Sequence, residues 1–206
     1  QMPAAIHIDS VGADLEYRYL SIEEPDVPGY QFHVTTGLAE KSDNYLIWSL
    51  EATYKYHADF TIDYLYSNRA IEAYPNPAEF MTCWRTDPIN ELFSFNTAVL
   101  SRPKIERLPL HFVRAGQREL SIRYGLLVKQ FTVNLEAYTF WNNLQRQIDS
   151  QESLFNTQPF QIRGNLSNVD NPDEAVLGFF MVAGLNEKRI FVDHPEELDL
   201  PFSYCE

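Results

Sequence analysis

The chain has 206 residues, of which 45% are hydrophobic and 14% aromatic, and its 16 basic and 29 acidic side chains give a net charge of −13. A chain of this length buries roughly 70% of its unfolded surface on folding, so it can build a core without metals or cross-links. The acidic balance argues against a nucleic-acid binder or a binder of anionic membranes, because both classes need a surplus of Lys and Arg. No apolar run approaches the ~20 residues of a membrane-spanning helix.

The first two thirds of the sequence predict antiparallel β-strands, because apolar residues recur there at every second position. In the clearest run the even positions from Leu46 to Tyr66 are apolar or aromatic, which predicts one face in a core and one polar outer face. Since strands rarely exceed ~10 residues, we expect a break near 55–59, with the same face turned inward on both sides of it. The same period appears in residues 13–19, 30–34, 93–95, 108–112 and 120–128.

The periodicity changes after Asn134. From there, apolar residues recur every three or four positions, which predicts an amphipathic helix over 135–149 with Asn134 as its cap. The run AVLGFFMVAG at 175–184 is apolar on both faces and predicts a central strand covered on both sides, with 188–192 as its partner. We therefore expect a mainly β single domain over 1–206, an antiparallel β-sandwich or barrel-like sheet with one helix.

The two cysteines, Cys83 and Cys205, are too few for a disulfide framework and lack metal-ligand spacing. Two interpretations are open. One is a single bridge that ties down the end of the chain. The other is two unrelated thiols, with Cys83 buried beside Trp84.

Catalytic signatures are missing from the sequence, which has no glycine-rich phosphate loop, His-Glu-x-x-His, Cys-x-x-Cys or nucleophile elbow. The five histidines are scattered singly, which favours solvated surface side chains over a metal site. Asp170, Asp173 and Glu174 form a weak calcium candidate, but Pro172 replaces a ligand of the EF-hand pattern, so an ordinary turn is favoured. We expect no catalytic residues, no metal and no cofactor.

Aromatic side chains are the remaining candidates for ligand binding. Those on the apolar face of the 46–66 run, such as Trp48 and Tyr54, are expected to pack inward. Tyr74, Trp84 and Tyr204 lie near chain breaks or the terminus, so they are better placed to stack against a ligand.

The order of motifs along the chain resembles domain of unknown function 4249, a family of Bacteroidota lipoproteins commonly encoded beside TonB-dependent outer-membrane receptors. The resemblance covers nearly the whole chain. The similar segments are 3–11 (PAAIHIDSV), 44–48 (NYLIW), 83–84 (CW), the passage 123–141, 153–155 (SLF) with Pro159, 164–165 (GN), 171–172 (NP), 174–180 (EAVLGFF) and 188–191 (KRIF).

This resemblance implies where the protein is located and which proteins it associates with, but it implies no catalytic activity. Family members look like longer lipoproteins, so we expect the chain to be the C-terminal region of one, after a lipid anchor and an immunoglobulin-like domain. The implied location is the outer membrane, on its surface-exposed or periplasmic side. The family pattern also carries cysteines near both positions here, which favours the Cys83–Cys205 bridge.

The expected function is that of a non-enzymatic accessory protein of a nutrient-uptake complex, which docks on a TonB-dependent receptor or helps to capture its ligand. An alternative is a stand-alone β module that binds a carbohydrate or a peptide. A hydrolase with paired carboxylates is less favoured, because 29 acidic residues supply such a pair by chance.

Overall fold

The computed structural model describes residues 3–37, 45–96, 104–151, 162–171, 174 and 176–196, with the backbone alone for Leu92, Asn96 and 149–151. These residues form a mainly β fold of antiparallel strands with one α-helix. The elements in chain order are β1 (Ile8–Arg18), β2 (Val27–Gly37), β3 (Tyr45–His57), β4 (Tyr64–Ser67), β5 (Ala70–Ala73), β6 (Thr82–Asn96), β7 (Lys104–Arg114), a 3₁₀ turn (Arg118–Leu120), β8 (Arg123–Val133), α1 (Leu135–Gln151) and β9 (Gly184–Asp193).

Two antiparallel sheets make up the body of the protein, a three-stranded sheet in the order β1-β2-β7 and a four-stranded sheet in the order β6-β3-β8-β9. Their facing side chains form one core, in which Phe32 and Val34 of β2 meet Trp48, Leu50 and Leu126 of the other sheet. The described strands form no closed barrel, so the sandwich-like form of the mainly β prediction is confirmed.

A buried polar network links the two sheets through this core. The Trp48 indole donates to Gln130 Oε1 at 3.0 Å, and Gln130 Nε2 donates to the Ile6 carbonyl at 2.9 Å and to Thr36 Oγ1 at 3.3 Å. Gln130 lies in β8 and Thr36 in β2, so the network fixes how one sheet sits on the other. Each bond satisfies a group whose burial without a partner would cost about 1–3 kcal/mol.

The helix begins where the sequence predicts. Asn134 Oδ1 accepts a hydrogen bond from the Ala137 amide at 2.9 Å, which is the expected cap. The helix packs against Ile47 and Val133 on the outer face of the four-stranded sheet, and Tyr138 meets Tyr45 with ring centroids 5.0 Å apart. It covers only the part of this outer face that lies near Ile47.

The prediction of a doubly covered strand at 175–184 is wrong. Residues 176–183 form no strand, and β9 begins only at Gly184 and pairs with β8. Phe179 stacks on Phe140 of the helix at 4.8 Å, and Met181 Sδ lies 3.3 Å from the Trp141 indole nitrogen. Because this contact uses alternate side chains, the intervening Phe180 and Val182 are exposed, and Leu177 before them is exposed as well.

The prediction for the 46–66 run is correct in its first half only. β3 ends at His57, within the predicted break, and its even-numbered side chains up to Tyr54 are buried. Beyond the break the same alternation turns Phe60, Tyr64 and Tyr66 outward, because the chain leaves the sandwich there and forms a hairpin of its own.

Candidate functional site

Residues 58–81, which we call the hairpin segment, join β3 to β6 and contain β4 and β5. These strands pair antiparallel with each other, with Tyr66 opposite Ile71. The turn between them consists of Asn68 and Arg69, with φ of 50° and 63°. Positive φ at both central residues is typical of the two-residue turns that suit a tight hairpin. The described strands form no other pairing with β4 or β5.

One face of the hairpin is apolar, and none of the described residues covers it. Tyr64 lies opposite Ala73 and Tyr66 opposite Ile71, so these side chains share a face. Tyr64, Tyr66 and Ile71 are 69%, 73% and 75% exposed. A two-stranded hairpin is at best marginally stable in water unless its apolar face packs against something. Adjacent exposed apolar side chains of this kind make the face a candidate interaction site.

The base of the hairpin segment is held to the sandwich by polar contacts. The Ala58 amide donates to the Met81 carbonyl at 2.7 Å. Arg118 Nη2 donates to both carboxylate oxygens of Asp59, at 2.6 and 2.7 Å, and its guanidinium lies 5.3 Å from the centre of the Tyr56 ring. The segment is therefore anchored where it leaves the sheet, while its tip projects apolar side chains.

Tyr74, a predicted ligand-binding residue, lies at the base of this segment. Its hydroxyl donates to Glu79 Oε2 at 2.9 Å, and this hydrogen bond raises the pKa of Tyr74. Its ring lies 5.8 Å from that of Phe80, which is exposed. The structure thus brings Tyr74 together with Phe80 and Glu79. The Tyr74 hydroxyl is used in a hydrogen bond within the hairpin segment.

Trp84, the second predicted residue, lies on the outer face of the four-stranded sheet. It is 55% exposed, and the Lys55 ammonium lies 6.0 Å from the centre of its ring. Tyr204, the third, lies outside the described residues. A ligand-binding role for these three residues stays a prediction.

Cys83 is half-buried and has no disulfide partner among the described residues, and its thiol lies 3.8 Å from the Phe80 carbonyl oxygen. Cys205 lies outside the described residues, so the predicted bridge stays a prediction.

The acidic turn is organised by Asn168. The Asn168 side chain accepts from the Asp170 amide at 2.9 Å and donates to Glu174 Oε2 at 2.6 Å. Asp173 lies outside the described residues. Over the residues that are described, no three His, Cys, Asp or Glu side chains group closely enough to hold a metal ion.

The prediction of solvated histidines is wrong for His33, which is only 8% exposed. Its Nδ1 lies 3.2 Å from Asp14 Oδ2 and its Nε2 lies 3.1 Å from Arg107 Nη1, while Arg107 also binds Asp14 directly. Arg107 reaches this position from a bulge in β7 with φ of 49°. The cluster joins the three strands of the smaller sheet. It could not be predicted from a sequence motif, because its members are far apart along the chain.

A cleft of about 450 Å³ lies beside the helix. Its lining includes Glu136, Phe140, Asn143, Arg163 and Phe179. The lining contains both aromatic rings and charged groups, with no grouping that resembles a catalytic centre among the described side chains.

Comparison with known protein families identifies the family of this chain. Residues 1–189 match the model of the family described as domain of unknown function (DUF4249). The chain belongs to this family. The resemblance seen in the order of motifs is thereby confirmed. Searches of curated proteins and of solved structures found no match. In the parts of the chain that the structure describes, no helix combines the length and apolar character needed to cross a membrane.

Proposed function

We propose that this DUF4249 protein is a non-enzymatic docking module that binds a protein partner through its hairpin segment, and that the partner is a TonB-dependent outer-membrane receptor. The observation that carries the proposal is the uncovered apolar face of the hairpin, formed by Tyr64, Tyr66 and Ile71.

The chemistry of this face suits a protein partner. Aromatic side chains are enriched at the centres of protein interfaces, where tyrosine supplies a large contact area. Moreover, β4 and β5 pair only with each other among the described strands, so each offers an unpaired row of backbone groups to a partner strand. A receptor built from β-strands and loops can offer both side-chain contacts to the aromatic rings and backbone hydrogen bonds to the free strand edges.

The identity of the partner rests on the family resemblance, since such lipoproteins are commonly encoded beside TonB-dependent receptors. From the same resemblance we infer a lipoprotein of the outer membrane. We also propose the Cys83–Cys205 bridge, since disulfides persist in the oxidising cell envelope.

Affinity purification from native outer membranes tests the proposal. The tagged full-length protein is expressed in its own host and extracted with a mild detergent, and co-purifying proteins are identified by mass spectrometry. We expect a TonB-dependent receptor in stoichiometric amount with the wild type. The double substitution Tyr66→Ser, Ile71→Ser should remove it, because it makes the centre of the apolar face polar.

The matched control is Tyr19→Ser with Ile22→Ser, which alters exposed residues of the same types outside the hairpin segment. It should retain the receptor. Recovery of the wild type only as a free monomer in several detergents contradicts the proposal. Equal recovery of the receptor with all three proteins shows that the hairpin is not the docking element.

A further inference from the structure

Part of the outer face of the four-stranded sheet is left open by the described residues, and the strand register arranges its side chains in two rows. One row crosses the sheet through Trp84, Lys55, Arg123 and Asp193. The neighbouring row runs through Thr86, Thr53, Gly125 and Phe191. The helix covers the other end of this face, near Ile47.

Two exposed aromatic residues lie on the two edge strands of this sheet. Trp84 in β6 is 55% exposed, and Phe191 in β9 is 51% exposed. The Phe191 ring lies across Gly125, where a Cβ atom would come within 2.6 Å of it. The missing side chain at Gly125 therefore lets this ring rest on the sheet. Three strand spacings of about 4.8 Å separate β6 from β9, or about 14 Å.

Paired charges and hydroxyls form the floor between the rings. Arg123 Nε lies 2.6 Å from Asp193 Oδ1. Arg189 Nη2 lies 3.3 Å from Glu51 Oε1 and Arg189 Nη1 donates to Thr53 Oγ1 at 3.2 Å. Thr53 Oγ1 is also 3.0 Å from Thr86 Oγ1. Donors and acceptors therefore alternate on this floor, and each is oriented by its neighbour.

We propose that this face binds a neutral oligosaccharide, with one sugar ring against Trp84 and another against Phe191. Sugar hydroxyls both donate and accept hydrogen bonds, which matches a floor where guanidinium, carboxylate and hydroxyl groups alternate. Aromatic rings provide flat apolar surfaces for the faces of sugar rings. A polyanionic glycan is disfavoured because the chain carries a net charge of −13 and the guanidinium groups of Arg123 and Arg189 already have carboxylate partners.

The separation of the two strands that carry Trp84 and Phe191 sets the expected size of the ligand. A single sugar reaches one ring only, whereas a linear oligosaccharide spans the floor and meets both. Affinity should therefore rise with chain length until both rings are engaged.

Isothermal titration calorimetry on the whole chain tests this, with cello-, xylo-, malto- and mannohexaose, the matching disaccharides, polygalacturonate and a tryptic digest of casein. We expect at least one neutral hexaose to bind saturably and its disaccharide to bind at least about tenfold more weakly, a difference of about 1.4 kcal/mol. Trp84→Ala and Phe191→Ala should each lower the affinity for the hexaose by about tenfold.

Phe60→Ala is the matched control, because it truncates an exposed aromatic ring in the hairpin segment. It should leave the affinity unchanged, and thermal unfolding checks that each variant is folded. The proposal is overturned if no neutral hexaose binds, if polygalacturonate or the peptides bind instead, or if both ring variants bind the hexaose like the wild type. Since the hairpin segment is not involved, the result is independent of receptor docking.

Discussion

Glycine residues decide how closely strands of the smaller sheet approach one another. A Cβ atom on Gly29 would lie 2.3 Å from the Val113 carbonyl oxygen and 2.6 Å from the Phe112 ring. The first of these atoms belongs to the backbone of the neighbouring strand and has no side-chain freedom to move away. By contrast, a Cβ on Gly116 meets nothing within 4 Å.

Gly29→Ala should therefore destabilise the fold by about 1–3 kcal/mol, because it forces β2 and β7 apart. Gly116→Ala is the control and should change the free energy of unfolding by at most about 0.5 kcal/mol. Urea unfolding followed by tryptophan fluorescence measures both. Equal stability of the two variants contradicts the packing described for Gly29.

Tyr54 links the core to the pH dependence of stability. Burial, together with the hydrogen bond from its hydroxyl to Asp87 Oδ2 at 3.1 Å, raises the pKa of Tyr54 to about 12. An unfolded tyrosine loses its proton near pH 10, so between about pH 10 and 12 ionisation favours the unfolded chain. Stability should be unaffected by Tyr54 below about pH 10 and fall as the pH rises towards 12.

Tyr54→Phe should flatten this alkaline loss, because the variant has no proton to release at this position. Part of the slope should remain, since burial also raises the pKa of Tyr124. The measurement is the free energy of unfolding at several pH values across this range, with Tyr17→Phe, an exposed position, as control. An unchanged slope in Tyr54→Phe would show that Tyr54 is not the group responsible.

The start of helix α1 is stabilised by one side chain, that of Asn134. Asn134 is exposed, and its side chain serves the first turn of the helix through the Ala137 amide. Asn134→Ala should cost about 1 kcal/mol in the free energy of unfolding, whereas Asn134→Asp keeps an oxygen acceptor and should cost little. Thermal and urea unfolding provide the comparison. If the two variants lose equal stability, the cap does not act through this hydrogen bond.

The sequence predicts elements well where a local pattern decides them. Alternating apolar residues predict β2, β3 and β8, and the change of period at Asn134 predicts the helix and its cap. Local patterns cannot say which surface an apolar face meets. For this reason Tyr64 and Tyr66 are exposed although their spacing matches that of the buried half of β3.

Contacts between distant parts of the chain explain the other differences. The 175–184 run is apolar enough for a central strand, but β9 already pairs with β8, and the run instead lays Phe179 and Met181 on the helix. His33 is buried because Asp14 and Arg107 close over it from two other strands. The sequence alone identifies Trp84 and Tyr74 as candidate ligand-binding aromatic residues. The apolar face of the hairpin can be identified only once the register of β4 and β5 is known.

For the whole molecule, the described aromatic residues divide into a buried set and an exposed set. Within the sandwich, rings such as Trp48, Phe32 and Tyr124 are fully buried and hold the sheets together. In the hairpin segment and on the open sheet face, aromatic rings point outward. A net charge of −13 favours a charged, well-hydrated surface, so these exposed rings are the candidate contact points for the partners proposed above.

Photo-crosslinking in cells of the native host is a direct test of receptor docking through the hairpin segment, because it identifies the protein that contacts the hairpin face. Tyr66 is replaced by benzoylphenylalanine in the full-length protein, and Tyr19, exposed outside the hairpin segment, is replaced in a parallel control. We expect a crosslink from position 66 to a TonB-dependent receptor and none from position 19. A crosslink to the receptor from position 19 alone, or no protein crosslink from position 66, would contradict docking through the hairpin.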